Sequence, residues 1–101
     1  MFNLDLKDKV ILITGGSDGL GYTSAELLSS EGAKVIICGR RGDYLNEKAK
    51  TISENTNNNV LAIQADVSKA EDCKRLVEET ISKFKKIDIL VNNAGASAAA
   101  L

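Results

Sequence analysis

The stretch from Ile13 to Thr23, ITGGSDGLGYT, carries side chains and glycines that could serve three different chemistries. Gly15-Gly16-Ser17-Asp18-Gly19 spells the G-x-S-x-G of a serine nucleophile elbow between strand and helix. Gly16-x-x-x-x-Gly21-Tyr22-Thr23 is a phosphate-binding P-loop with one substitution. Thr14-Gly15-x-x-x-Gly19-x-Gly21 would let a backbone approach the pyrophosphate of a dinucleotide. The elbow fails on its partners, because only 16 residues precede Ser17 to supply an oxyanion donor and the chain has no histidine to act as base. The P-loop fails at Tyr22, which stands where a lysine should reach the β and γ phosphates, since a phenol lacks that charge. The third reading fits its surroundings: a strand ends at Thr14, glycines follow at 15, 19 and 21, and a helix then aims its first N–H groups at a phosphate. The spacing departs from the usual G-x-G-x-x-G, because Ser24 occupies the third glycine position after Gly19 and Gly21.

The elements around this loop follow from hydropathy patterning. Lys9 to Thr14, Lys34 to Cys38, Asn59 to Ile63 and Ile87 to Val91 are short aliphatic and β-branched runs, the pattern of strands covered on both faces. Helical composition fills the intervals at about Gly19 to Glu31, about Asp43 to Asn55 and about Lys69 to Lys85. In the third helix Cys73, Leu76, Val77, Thr80, Ile81 and Phe84 recur on one face, and Ser68 with Glu71 suggests a capping box. Leu45, Ala49 and Ile52 mark the inner face of the second, the asparagines from Asn55 to Asn59 read as a turn, and Gly32 is placed to cap the first. The order βαβαβαβ implies an α/β fold with right-handed crossovers and a parallel sheet, in one domain over residues 1–101. The first two helices should cover one face and the third the other, with the fourth strand left as an apolar edge.

Composition narrows the partners. Thirteen basic and 14 acidic residues give a net charge of −1, which offers no footprint for nucleic acid or an anionic membrane. The charged N-terminus lacks the apolar core of a signal peptide, and no apolar run approaches the roughly 20 residues of a membrane span, so a cytoplasmic protein is expected. Cys38 and Cys73 are too few for a disulfide framework and are read as free thiols packed in apolar segments. Without histidine the commonest metal ligand and general base are both missing, and no metal site is expected.

Two motifs together give the chain a family likeness. Thr14-Gly15-Gly16-Ser17-Asp18-Gly19-Leu20-Gly21 and Asp88-Ile-Leu-Val-Asn92-Asn93-Ala94-Gly95 resemble the T-G-x-x-x-G-x-G and D-x-L-V-N-N-A-G of the short-chain dehydrogenase/reductases, with Asp66-Val67 between them at the matching place. The resemblance runs from about Leu6 to Gly95 and implies a partial Rossmann, or doubly wound, sheet with strand order 3-2-1-4. It further implies an oxidoreductase that passes hydride between a nicotinamide cofactor and a carbonyl or alcohol substrate. By that resemblance the loop residues Thr14, Gly15, Ser17, Asp18, Gly19, Leu20 and Gly21 surround the pyrophosphate. Asp66, with Val67 beside it, accepts the adenine amino group, and Asn93, Ala94 and Gly95 line the ribose and nicotinamide side. Asn92 is read instead as a tie between strands.

The end of the second strand bears on the choice of cofactor. NAD-binding folds usually place an acid there for the ribose 2′-hydroxyl, whereas this chain reads Cys38-Gly39-Arg40-Arg41. Arg40 stands where NADP-preferring members of the family place a basic residue, and its guanidinium offers paired donors to a 2′-phosphate. Asp18 argues the other way, since many NADP-binding relatives carry a basic residue at that place. The expectation is NADP, with NAD as the alternative.

The family's catalytic serine and Tyr-x-x-x-Lys lie downstream of N-N-A-G, and only Ala96-Ser-Ala-Ala-Ala-Leu101 follows here. Tyr44-Leu-Asn-Glu-Lys48 has the spacing but lies in the second helix, so Tyr44 and Lys48 are read as surface residues, and Ser97 follows Gly95 too closely to serve. No catalytic residue is therefore assigned. The resemblance implies the first part of an enzyme more than twice as long, itself a homo-oligomer acting on a small molecule, while the 101-residue chain alone is expected to be inactive and prone to self-association. The alternative is a non-catalytic module that binds or senses NADP(H).

Overall fold

A computed structural model describes residues 5–93. The elements alternate as β1 (Val10–Thr14), α1 (Gly19–Ser30), β2 (Lys34–Gly39), α2 (Gly42–Thr56), β3 (Leu61–Gln64), α3 (Ala70–Phe84) and β4 (Ile89–Asn92). All pairings are parallel, in the order β3-β2-β1-β4, with Leu12 opposite both Ile36 and Leu90. This is the expected α/β sheet.

Side chains of β1 and β2 alternate between two cores. Ile11, Ile13, Val35 and Ile37 point to one face, where Ala25 of α1 and Leu45, Ala49 and Ile52 of α2 close over them. Val10, Leu12, Ile36 and Cys38 point to the other, where α3 contributes Leu76. Helices therefore cover both faces, as buried parallel strands require.

Several boundaries shift for local reasons. β3 starts at Leu61 rather than Asn59 because the Val60 N–H donates to Ser53 Oγ at 2.8 Å and not to a strand. The asparagine turn does more than reverse the chain. Asn57 takes the left-handed conformation at φ 53°, and Asn58 Nδ2 donates to the Ser29 and Ala33 carbonyls, tying the end of α2 to the end of α1. Gly32 follows α1 at φ 90°, the cap expected of it.

The capping box at α3 does not form. Lys69 is the N-cap and makes no side-chain cap bond, because both the N–H and the hydroxyl of Ser68 donate to Asp66 Oδ1, at 3.0 and 2.7 Å. A closer acceptor two residues back has captured the serine. The expected inner face of α3 is likewise only half buried, with Leu76 and Thr80 inside but Val77 and Ile81 exposed. Among the described residues no helix is long and apolar enough to cross a membrane.

Candidate nucleotide-binding site

In a parallel sheet every strand delivers its C-terminal end to the same edge, and ligands bind in the crevice there. Here that edge gathers Thr14-Gly15, Gly39-Arg40, Ala65-Asp66 and Asn92 around a cleft of about 1090 Å³. Ser17, Asp18, Arg41, Val67 and Ser68 complete its rim, and Leu12, Cys38, Leu76, Val77 and Leu90 form its apolar floor on the α3 side.

The loop between β1 and α1 is fixed by close backbone approach. Gly15 (φ 67°) and Gly16 both donate their N–H groups to the Cys38 carbonyl, at 2.9 and 3.3 Å. A Cβ on Gly21 would stand 2.2 Å from the Gly15 carbonyl oxygen, so α1 can cross the loop only with glycine at this position. Gly16, which the motif leaves as a variable position, is also constrained, since its Cβ would lie 2.6 Å from Ile37 Cγ2. Gly19 adopts φ 53° at the start of α1 with open space around it. Leu20 is exposed beside it.

The first turn of α1 bears no acidic residue, and Asp18 at its N-cap makes no side-chain cap bond. An α-helix begins with N–H groups that have no partner within the helix, and these favour anions. A glycine cradle of tight backbone approach next to uncapped helix N–H groups fits a pyrophosphate.

On the β2 side Arg40 is exposed at the rim, its carbonyl accepting Gln64 Nε2 at 2.8 Å. Among the described residues its guanidinium enters no salt bridge, whereas the neighbouring Arg41 lies 3.8 Å from Asp18 Oδ2 and 4.2 Å above the Tyr44 ring. The two adjacent arginines are thus differently committed. Tyr44 and Lys48 are half-buried rather than simply surface residues, and Tyr44 donates its hydroxyl to Asp18 Oδ1 at 2.5 Å. Sequence periodicity could not reveal this contact, because it joins positions 26 apart.

Asp66 follows β3. Its Oδ1 takes both Ser68 bonds, which hold the carboxyl below its ordinary pKa, and its N–H donates to Asp72 Oδ2 at 2.8 Å. Among the described residues Oδ2 accepts no hydrogen bond. At β4 the two asparagines divide their tasks. Asn92 lines the cleft and its Oδ1 accepts the Thr14 hydroxyl at 3.1 Å, while Asn93 donates its N–H to Thr14 Oγ1 and its Nδ2 to the Gly15 carbonyl, at 2.9 and 3.3 Å. Ala94 and Gly95 lie outside the described residues, as does Ser97.

The other end of the second motif has a separate role. Asp88 Oδ2 accepts the Val10 N–H at 2.8 Å and faces Lys86 Nζ at 3.0 Å, pinning β4 to β1 at the edge of the sheet away from the cleft.

A family model described as short chain dehydrogenase matches residues 9–101. The chain belongs to this family. Among its members, 11-beta-hydroxysteroid dehydrogenase A of Sesamum indicum is 40% identical over 95 residues, covering 94% of this chain and 27% of that protein. An uncharacterized oxidoreductase of Staphylococcus saprophyticus is 45% identical over 92 residues, covering 91% of this chain and 39% of its own length. Among solved structures, L-sorbose reductase from Gluconobacter frateurii, complexed with NADPH and L-sorbose, superposes with a TM-score of 0.86 at 39% identity, covering 91% of this chain and 36% of that one. The chain spans well under half the length of each of these short-chain dehydrogenase relatives.

Proposed function

We propose that this chain is the nucleotide-binding portion of an oxidoreductase and that its cofactor is NADP(H). One observation carries the reading: Gly15 of the close-packed loop, Ser17 and Asp18 just before the uncapped start of α1, and Arg40, whose guanidinium enters no salt bridge among the described residues, all line a single cleft. The α1 N–H groups and the backbone of Gly15, Ser17, Gly19, Leu20 and Gly21 would hold the pyrophosphate, with Thr14 bracing the loop against β4. Arg40 would receive the 2′-phosphate through paired donors. Asp66 would accept the adenine amino group, Val67 would pack beside it, and Asn93, Ala94 and Gly95 would border the ribose and nicotinamide. The NADPH complex of L-sorbose reductase supports this choice over NAD. Bound nicotinamide supplies the hydride donor or acceptor, and the substrate is a carbonyl or alcohol. No described residue is assigned a catalytic role.

The test is Arg40→Asp in the intact protein, followed by titration calorimetry with NADPH and NADH. Placing a carboxylate against the 2′-phosphate should weaken NADPH by about 2–4 kcal/mol and spare or improve NADH. Unchanged NADPH affinity would remove Arg40 from the site.

A further inference from the structure

Asp18 stands where an aspartate ordinarily caps its helix by accepting N–H groups of the first turn. It makes no such bond. Both carboxylate oxygens turn to α2 instead: Oδ1 accepts the Tyr44 hydroxyl at 2.5 Å, and Oδ2 lies 3.8 Å from Arg41 Nη2. The Tyr44 ring is itself held, with the Arg41 guanidinium 4.2 Å and the Lys48 ammonium 5.0 Å from its centroid, while Lys48 also approaches the Tyr22 ring at 5.2 Å. One acid, two cations and two rings thus form a bridge from the α1 start to the first turns of α2.

The bridge resolves a conflict built into the sequence. A carboxylate at an N-cap competes with a phosphate for the same N–H groups and repels it besides. We propose that Tyr44 is a positioning residue for the dinucleotide: by binding the Asp18 carboxylate it keeps the first-turn N–H groups of α1 open to the cofactor's pyrophosphate. Arg41 assists by countering the charge, which leaves Arg40 as the arginine available to a 2′-phosphate. This inference rests on the reading given under Proposed function, and it turns a pair with the spacing of a catalytic motif into part of the binding apparatus.

Tyr44→Phe is the direct test, because it removes the hydroxyl and keeps the ring under Arg41 and Lys48. Calorimetric titration of the intact protein with NADPH and NADH should show both weakened about tenfold, the scale of one charge-assisted hydrogen bond. The loss should be equal for the two because they share the pyrophosphate. Adding Asp18→Ala should restore affinity, since without the carboxylate nothing needs restraining, and Asp18→Ala alone should bind at least as tightly as the parent. If the parent binds neither nucleotide, the proposed function falls and this inference with it. If the parent binds and Tyr44→Phe binds equally well, the inference alone falls. It falls also if Asp18→Ala fails to rescue Tyr44→Phe, which would show the hydroxyl acting through loop packing.

Discussion

The two faces of the sheet are built to different standards. On the α1 and α2 face, the core cluster that runs from Ile11 and Ile37 out to Leu45 and Ile52 is at most 5% exposed, with Tyr22, Leu28, Ala62 and Val91 partly buried around it. On the α3 face, β1 and β2 are equally buried, yet α3 leaves Val77 45% and Ile81 40% exposed, and the neighbouring Leu90 is 60% exposed. The cleft opens on that second face, with Leu12, Cys38, Leu76 and Val77 beneath it. A close-packed face fixes the strand ends in space, and a loosely covered one leaves room for a ligand beside them. The comparison separates residues that hold the site from residues that border it.

The largest effect that could break this contrast is in the core. Ile52→Ala on the closed face removes a side chain with no exposure and should cost about 2–4 kcal/mol, because the surrounding α1, α2 and strand residues cannot collapse into the space. Ile81→Ala on the open face should cost less than about 1 kcal/mol, since much of that side chain already meets water. Urea unfolding of the two variants measures the difference. Comparable losses would mean that the two faces are equally packed in solution.

A smaller effect should come from the cysteines, which lie on the open side. Burial, and secondarily the nearby Cys73, push the Cys38 thiol up to about 11. A thiol whose folded pKa exceeds its unfolded value contributes stability in full below the unfolded pKa and loses it as pH rises through the folded one. Stability should therefore decline between about pH 9 and pH 11, and Cys38→Ala should flatten that decline. Parallel curves for parent and variant would show that Cys38 ionises freely and that the floor of the cleft is wet.

What could be read in advance follows the same division. The strand runs and the helix order are written in local periodicity, the strand order 3-2-1-4 comes from the family likeness of the two motifs, and the closed face was legible through Leu45, Ala49 and Ile52. The glycine loop was legible because backbone approach admits few residue types, as Gly21 against the Gly15 carbonyl shows. Contacts between distant side chains were not. Ser68 was expected to cap α3 by accepting a backbone N–H and instead donates to Asp66 Oδ1, a choice between two local partners that spacing alone cannot decide. Helical spacing reads Tyr44 as a surface residue, and nothing in a helical repeat records that its hydroxyl reaches Asp18 across that surface. Val77 and Ile81 share the apolar stripe of Leu76 and Thr80, yet the pattern gives only the face of the helix and not how much of that face the sheet covers.

The smallest expected effect concerns the edge strand that borders the open face. β4 pairs only with β1 among the described strands, and Asp88 fastens its start by accepting the Val10 N–H and facing Lys86. Those contacts, the Val10 bond first, hold the Asp88 carboxyl below its ordinary value. A carboxyl with a depressed folded pKa contributes stability above its unfolded pKa of about 4 and loses it as pH falls through the folded value. Asp88→Asn keeps an oxygen for the Val10 N–H but cannot titrate, so its stability should fall less steeply than the parent's below about pH 4. Asp66, also held down, should preserve part of the slope in both proteins. Chemical unfolding followed from neutral pH to about pH 3 would test the point, and an acid slope unchanged by Asp88→Asn would mean that the pairing of β4 with β1 owes nothing to the charge of this carboxylate.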